Sequence, residues 1–160
     1  TVIQGFTNKA HDGFLGNSVI GEWCNLGAGT NNSNLKLNYS TIKMWDFHSK
    51  KFIDTGLQFC GMIMGDYTKC SIASQFNTGT TVGMGANILG SGVQKNLIPS
   101  FSWGVKQGFI THRIDKMFET TDLIMRRRSK YLEDYQKGVL KNVFLQTQYE
   151  RTWETRTNNE

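Results

Sequence analysis

Large apolar residues recur at every sixth position in two blocks of the chain. The first block is Phe14, Ile20 and Leu26; the second is Met64, Cys70, Phe76, Val82 and Ile88. Four positions after each stands a small residue: Ser18, Cys24 and Thr30, then Thr68, Ser74, Thr80 and Ala86, with Gly92 closing the run. This is not the helix period of about 3.6 residues. Its physical sense is a coil of short parallel strands stacked into a triangular prism. The large residue fills the interior at each turn, and the small one fits where the neighbouring wall comes close. Gly21, Gly27, Gly65 and Gly83, each directly after an apolar position, permit tight corners.

The register breaks between Leu26 and Met64, whose separation of 38 residues is not a multiple of six. An insertion near 32–61 accounts for the break. Leu35, Leu37 and Tyr39 alternate within it, as do Ile42 and Met44. That predicts a strand pair turning near 38–40, or a loop arm leaving the prism. After Gly92 the pattern changes. Residues 99–112 read as a connector. Ile114, Met117, Phe118, Thr121 and Met125 then recur at helical spacing, followed by Leu132, Tyr135, Val139, Val143 and Phe144. Neither helix is long enough to be stable alone, so both must pack. The expected fold is an all-β core of hexapeptide coils over 1–98 with an inserted loop or hairpin. A C-terminal α-helical tail follows over 113–146, and a polar, frayed end over 147–160.

Composition narrows the classes. Of 160 residues, 38% are hydrophobic and 19% charged, enough for a packed core and too apolar for a disordered chain. No run approaches the roughly 18 apolar residues of a membrane span. The net charge is +5, and all six arginines follow residue 112. A nucleic-acid-binding face would be denser in cations and interleaved with aromatics. The cluster Arg126-Arg127-Arg128 therefore reads as a solvated helix face or an interface, and neither nucleic acid nor membrane is an expected partner. Three cysteines with no C-x-x-C spacing and no visible signal peptide suggest reduced thiols in a cytoplasm. The chain opens at Thr1 rather than Met, which suggests a processed or partial chain.

The three histidines, His11, His48 and His112, fall at different phases of the repeat and form no obvious metal cluster. Cys24 occupies a small-residue position and Cys70 an interior one, and Cys60 is expected to be buried too. Asp66 and Lys69 read as a corner pair on the coil surface. The Gly27-Ala28-Gly29 stretch is not a phosphate-cradling loop, because no helix-forming segment follows it and the hexad continues through it.

Two stretches carry a resemblance. The first is Lys9-Ala10-His11-Asp12-Gly13-Phe14-Leu15-Gly16 followed by Ile20-Gly21-Glu22-Trp23-Cys24-Asn25-Leu26-Gly27-Ala28-Gly29-Thr30. It resembles the acetyltransferase end of the bifunctional N-acetylglucosamine-1-phosphate uridyltransferase / glucosamine-1-phosphate acetyltransferase family. The second runs from Gly65-Asp66-Tyr67-Thr68-Lys69-Cys70-Ser71-Ile72 through Phe76-Asn77-Thr78-Gly79-Thr80 to Ile98-Pro99-Ser100-Phe101-Ser102-Trp103-Gly104. It is similar to a bacterial branch of such sugar nucleotidyltransferases.

The resemblance, spanning roughly Lys9 to Arg128, implies a left-handed parallel β-helix that assembles as a homotrimer. It implies acetyl-CoA as co-substrate, a sugar 1-phosphate as acceptor, and no metal in this domain. His11 would be the general base, deprotonating the attacking amine of glucosamine 1-phosphate. Phe14 falls where the family has a substrate-binding Tyr. Asn25 would bind the sugar phosphate, and Lys36, or one of Lys50 and Lys51, would contact phosphate. Ala28, Asn34, Leu35 and Ile72 would contact acetyl-CoA, with the Asn34 amide placed to support a developing oxyanion. Leu35 replaces a family Tyr, and Ile72 stands where the family often has Ser. The family also has an upstream nucleotidyltransferase domain with a Gly-rich nucleotide loop, which implies that this chain is the C-terminal piece of a longer enzyme.

Three alternatives stand beside this reading. Asn25 and Asn34 could simply cap turns. The coil could be an inactive trimerising scaffold for the nucleotidyltransferase, which Phe14 and Leu35 favour. A metal-dependent lyase on the same fold would need histidines that converge across subunits.

Overall fold

The computed structural model describes residues 1–156. The chain winds in successive coils of short strands. The first coil contributes β1 (Val2–Ile3). The second contributes β2 (Val19–Ile20), β3 (Asn25–Leu26) and β4 (Asn31–Asn32). An arm then leaves the stack and carries a hairpin, β5 (Lys43–Asp46) and β6 (Lys51–Asp54). The third coil is β7 (Met62–Met64), β8 (Lys69–Cys70) and β9 (Ser74–Phe76). The fourth is β10 (Thr80–Val82), β11 (Asn87–Ile88) and β12 (Gly92–Val93). The last is β13 (Leu97–Ile98) and β14 (Ser102–Val105), from which β15 (Gly108–Thr111) turns back antiparallel.

Equivalent strands of successive coils pair in parallel and build three walls. The first wall is β1-β2-β7-β10-β13, the second is β3-β8-β11-β14 with β15 at its edge, and the third is β4-β9-β12. Ile20, Leu26, Met64, Cys70, Phe76, Val82 and Ile88 point inward and are buried. The small positions Ser18, Cys24, Thr30, Thr68, Ser74, Thr80 and Ala86 are buried as well. Their hydroxyls explain the choice. Thr30, Ser74, Thr80 and Ser102 each donate to the carbonyl three residues back, at 2.7, 2.9, 2.9 and 2.6 Å, and so give backbone oxygens at the corners a buried hydrogen-bond donor.

Phe14 departs from the register and is 54% exposed. The first coil is one residue short: Ile3 pairs with Ile20 and Asn8 with Asn25, a spacing of 17, where Ile63 pairs with Thr81 at 18. Counting six back from Ile20 therefore lands on Phe14, while Leu15 is the residue packed against the core.

The corner between the first and second walls is built unexpectedly. Phe6, Trp23, Tyr67 and Phe101 occupy it in successive coils, with φ of 61°, 57°, 61° and 58°. Gly85 holds the equivalent place in the fourth coil. Bulky residues in this left-handed region are costly. Here packing offsets the strain. Phe6 and Trp23 stack at 4.2 Å with planes 6° apart. Trp23, Tyr67 and Phe101 join a buried cluster with Met117, Met125, Leu132 and Leu140 of the tail. Each aromatic stands three residues after an inward residue of the first wall, a signal present in the sequence.

The tail begins with α1 (Ile114–Arg126), which buries Met117, Thr121 and Met125 on the aromatic corner. α2 (Asp134–Gln146) follows, opened by a capping box between Glu133 and Gln136. The inward face of α2 is Leu140, with Val143 and Phe144 beside it. Tyr135 and Val139, expected to face inward, are exposed at 72% and 57%.

Three further expectations are corrected. The arm turns at residues 47–50, not near 38–40: Leu37 and Tyr39 are exposed, while Asp46 accepts the amides of His48 and Ser49 to close the hairpin. The stretch 99–112 is not a bare connector, because β14 extends the second wall. Residues 147–156 are not frayed. A 3-10 turn at Gln148–Glu150 and α3 (Trp153–Arg156) fold back onto the coils, with the Arg151 side chain fully buried. The remainder of the expected frayed end, 157–160, lies outside the described residues.

Candidate active site

Of the residues picked out by the sequence, His11, Phe14, Ala28, Asn34 and Ile72 lie along the third wall and the edge where it meets the second. The coil spacing places His11, Ala28 and Ile72 in one column at that edge, since Asn8 stands over Asn25 and Asn25 over Lys69. His11 and Ile72 are exposed, and Ala28 is half-buried between them. The edge is lined by small residues: Gly27, Gly29, Ala73 and Gly90 follow its course. Its backbone is fixed, with the Ala73 amide donating to the Ala28 carbonyl at 2.7 Å. Ile72 is the exposed apolar side chain on this edge.

Phe14 and Asn34 converge over Gly16. A β-carbon on Gly16 would strike the Phe14 ring and come within 3.2 Å of the Asn34 amide nitrogen. Both residues line a shallow cavity of about 420 Å³ on the third wall, with Asn31 and Gln75. The Asn34 amide donates to Asn17 Oδ1 at 2.7 Å, so its amide nitrogen has a partner within the chain. Leu35 and Lys36 lie at the root of the arm, bordering a separate cavity of about 480 Å³ with Asn77 and Thr78. Lys36 donates to the Thr41 carbonyl at 2.8 Å. Lys50 and Lys51 are carried away to the far end of the hairpin, where the Lys50 ammonium sits 3.9 Å over the Tyr149 ring.

Asn25 stands apart. It projects from the second wall, accepts the Asn8 amide at 3.1 Å, and faces a different cavity from that of Phe14 and Asn34. Lys69, Arg127 and Arg128 share this cavity. The corner pair that the sequence suggests for Asp66 and Lys69 does not form. The Asp66 carboxylate instead accepts the Glu22 amide at 2.8 Å, while Lys69 donates to the Tyr67 carbonyl at 3.2 Å. Burial against the wall lowers the Lys69 pKa.

The remaining candidates are structural. His112 is buried, with Nδ1 2.9 Å from the Gly85 carbonyl and its ring edge-on to Trp103. His48 lies in the arm turn. Cys24, Cys60 and Cys70 are buried free thiols. Burial pushes the Cys24 thiol up to about 11, unsuited to nucleophilic attack. Among the described residues no three His, Cys, Asp or Glu side chains converge as a metal site would require. No described helix is long and apolar enough to cross a membrane.

No protein-family profile matches the chain. The chain is similar to the bifunctional protein GlmU of Methanocaldococcus jannaschii. The two are 34% identical over 83 residues, which is 52% of this chain and 20% of that protein, so the chain spans about a fifth of the curated relative it matches. The resemblance drawn from the residues is thereby borne out: about half of this chain is GlmU-like. Among solved structures, a hexapeptide-repeat-containing acetyltransferase from Vibrio cholerae, complexed with acetyl coenzyme A, covers 69% of each chain at 12% identity. The TM-score between the two is 0.37, a loose likeness.

Proposed function

We propose that this chain is the left-handed β-helix acetyltransferase domain of a sugar-phosphate-activating enzyme, transferring acetyl from acetyl-CoA to glucosamine 1-phosphate. The supporting observation is the column at the edge of the third wall, where an exposed imidazole, His11, stands above a strip of small residues open to solvent. His11 would accept the proton of the acceptor amine as its nitrogen forms the new bond to the acetyl carbon and the thiol of CoA departs. Acetyl-CoA would lie along Ala28 and Ile72, with Asn34 and Leu35 toward its acyl end. Asn25, Phe14 and Lys36 would belong to the acceptor side.

Within one chain these residues spread over two walls and the arm root rather than closing a pocket. That supports a homotrimer whose clefts bring the third wall of one subunit against a neighbour. Val2, Val19 and Ile63 align in a half-exposed apolar row on the first wall, as side-by-side association would require. The nucleotidyltransferase activity would reside in a part of the enzyme outside this chain, in a reducing, cytoplasmic setting that suits three free thiols.

A second reading has its own support. Phe14 presents no hydroxyl to the third-wall cavity, and Leu35 none to the arm root, which favours a trimerising scaffold without chemistry. One experiment separates the two. The chain is assayed for acetyl-CoA-dependent acetylation of glucosamine 1-phosphate, read as product mass. Acetyl transfer predicts a product whose rate falls about 10²–10⁴-fold in His11→Ala, the usual contribution of a general base. Absence of product leaves the scaffold; product formed at an unchanged rate in His11→Ala keeps acetyl transfer and removes His11 as its base.

A further inference from the structure

The cavity between the second wall and α1 has a charge pattern that acetyl transfer does not use. It measures about 640 Å³, within the range of about 300–1,000 Å³ typical of small-ligand sites. Three cations line it, Lys69 from β8 and Arg127 and Arg128 from the end of α1, and among the described residues no acidic one does. Elsewhere on α1 the cations are paired: Arg126 reaches Asp122 at 2.7 Å and Lys116 reaches Glu119 at 2.8 Å. Neither Arg127 nor Arg128 pairs with a carboxylate among the described residues. The Met125 carbonyl at the end of α1 is not what holds them. Met125 O is already met by the amides of Arg127, Arg128 and Lys130.

The rest of the lining fits a ligand with a polar head and a less polar body. Asn8, Asn25 and Thr120 supply neutral hydrogen-bonding groups, and Trp23 and Ile124 an apolar side. Lys69 spends one donor on the Tyr67 carbonyl, and an ammonium has three. Like charges gathered in a partly desolvated cavity repel one another, and a bound dianion reverses that penalty. Guanidinium groups match phosphate oxygens in geometry as well as charge.

We infer that this cavity is a binding site for the phosphate group of a small phosphorylated metabolite, gripped by Arg127 and Arg128 from the helix end and by Lys69 from the wall. It lies on a different wall from the Phe14–Asn34 cavity and shares only Asn25 with the residues given to acetyl transfer; it is tested apart from that reading, because binding is measured with no acetyl donor present.

The test is calorimetric titration of the intact chain with inorganic phosphate, pyrophosphate and glucosamine 1-phosphate, at low and high salt. The expected result is saturable binding of at least one probe, weakened by salt. Arg127→Ala combined with Arg128→Ala, and Lys69→Gln, should each weaken it about tenfold or more, since charge-assisted hydrogen bonds are lost. Arg126→Ala, which alters a cation outside the cavity, should leave it unchanged. Thermal melts verify that each variant is folded. Should Lys69→Gln fail to fold, the exposed Arg128→Ala decides alone. Absence of saturable binding with all three probes, or wild-type affinity in the double arginine variant, overturns the proposal.

Discussion

The indole N–H of Trp45, on the arm, donates to Oε1 of Glu150, in the tail, across 3.1 Å. The Tyr149 hydroxyl donates to the same oxygen at 3.1 Å, while Oε2 is buried with no hydrogen-bond partner among the described residues. Two segments far apart in sequence are thus clamped around one buried carboxyl group. Burial raises its pKa above the ordinary carboxylate value.

Glu150→Gln keeps an acceptor for Trp45 and removes the buried charge. A carboxyl group with a raised folded-state pKa is more protonated in the folded chain than in the unfolded one. Stability therefore falls as pH rises from the ordinary value of 4.5 through the raised value. Glu150→Gln should melt higher than wild type at neutral pH, and the two should converge on acidification. Trp45→Phe, which strips the donor, should cost about 1–3 kcal/mol. Thermal melts across pH check both.

His112 works in the opposite direction. Its imidazole is buried, with Nε2 unpartnered among the described residues, and desolvation holds its pKa below the ordinary 6.5. The unfolded chain takes up this proton first as pH falls, so stability is complete above about 6.5 and declines from there down through the folded-state value. Urea unfolding between neutral and mildly acidic pH should show that decline, and it should flatten in His112→Gln. An imidazole NMR titration should report the depressed value directly.

Two glycines should respond to alanine with opposite signs. At Gly61, where the arm rejoins the coils, a β-carbon would collide with the Gly16 carbonyl oxygen, Ser18 Oγ and the Asn32 amide. Gly61→Ala should cost about 2–3 kcal/mol or more, because these groups are fixed by their own hydrogen bonds. Gly138 lies inside α2 with nothing within 4 Å of the added carbon. Gly138→Ala should add about 0.8–1 kcal/mol through helix propensity. Denaturant unfolding of the two variants measures the contrast.

Much of the coil was legible because its interior repeats strictly: Met64, Cys70, Phe76, Val82 and Ile88 are spaced by geometry that no insertion disturbs. The count failed at Phe14, where a coil shortened by one residue shifts the inward position to Leu15. The aromatic corner escaped because left-handed backbone is associated with glycine, whereas Phe6, Trp23 and Tyr67 hold it through stacking and burial under α1. At the site, His11, Ala28 and Ile72 share an edge as the repeat dictates. The cavity of Asn25, Lys69 and Arg127 was not visible, because it depends on where a helix well beyond the last hexad lies down. Helix placement is set by tertiary packing rather than by spacing.

Cys24 borders that cavity, yet its thiol is pushed to about 11 by burial. Thiolate is the reactive form. The native chain at mildly alkaline pH should therefore resist alkylation at Cys24, and the label should appear there once the chain is unfolded. Mass spectrometry of peptides spanning Cys24, with and without denaturant, makes the comparison. Rapid labelling of the native protein would show that the wall opens at this point.

The reversal of β15 gives the stack a direction. Every earlier coil lays its strands parallel to the last, and such an edge is a template that another coil, or another molecule, can extend. At β14 the template is occupied by an antiparallel strand, and the Trp153 ring and its N–H to Thr111, at 2.9 Å, close over it. The second wall therefore cannot be continued past β14 by another parallel coil, whatever the local concentration of identical chains.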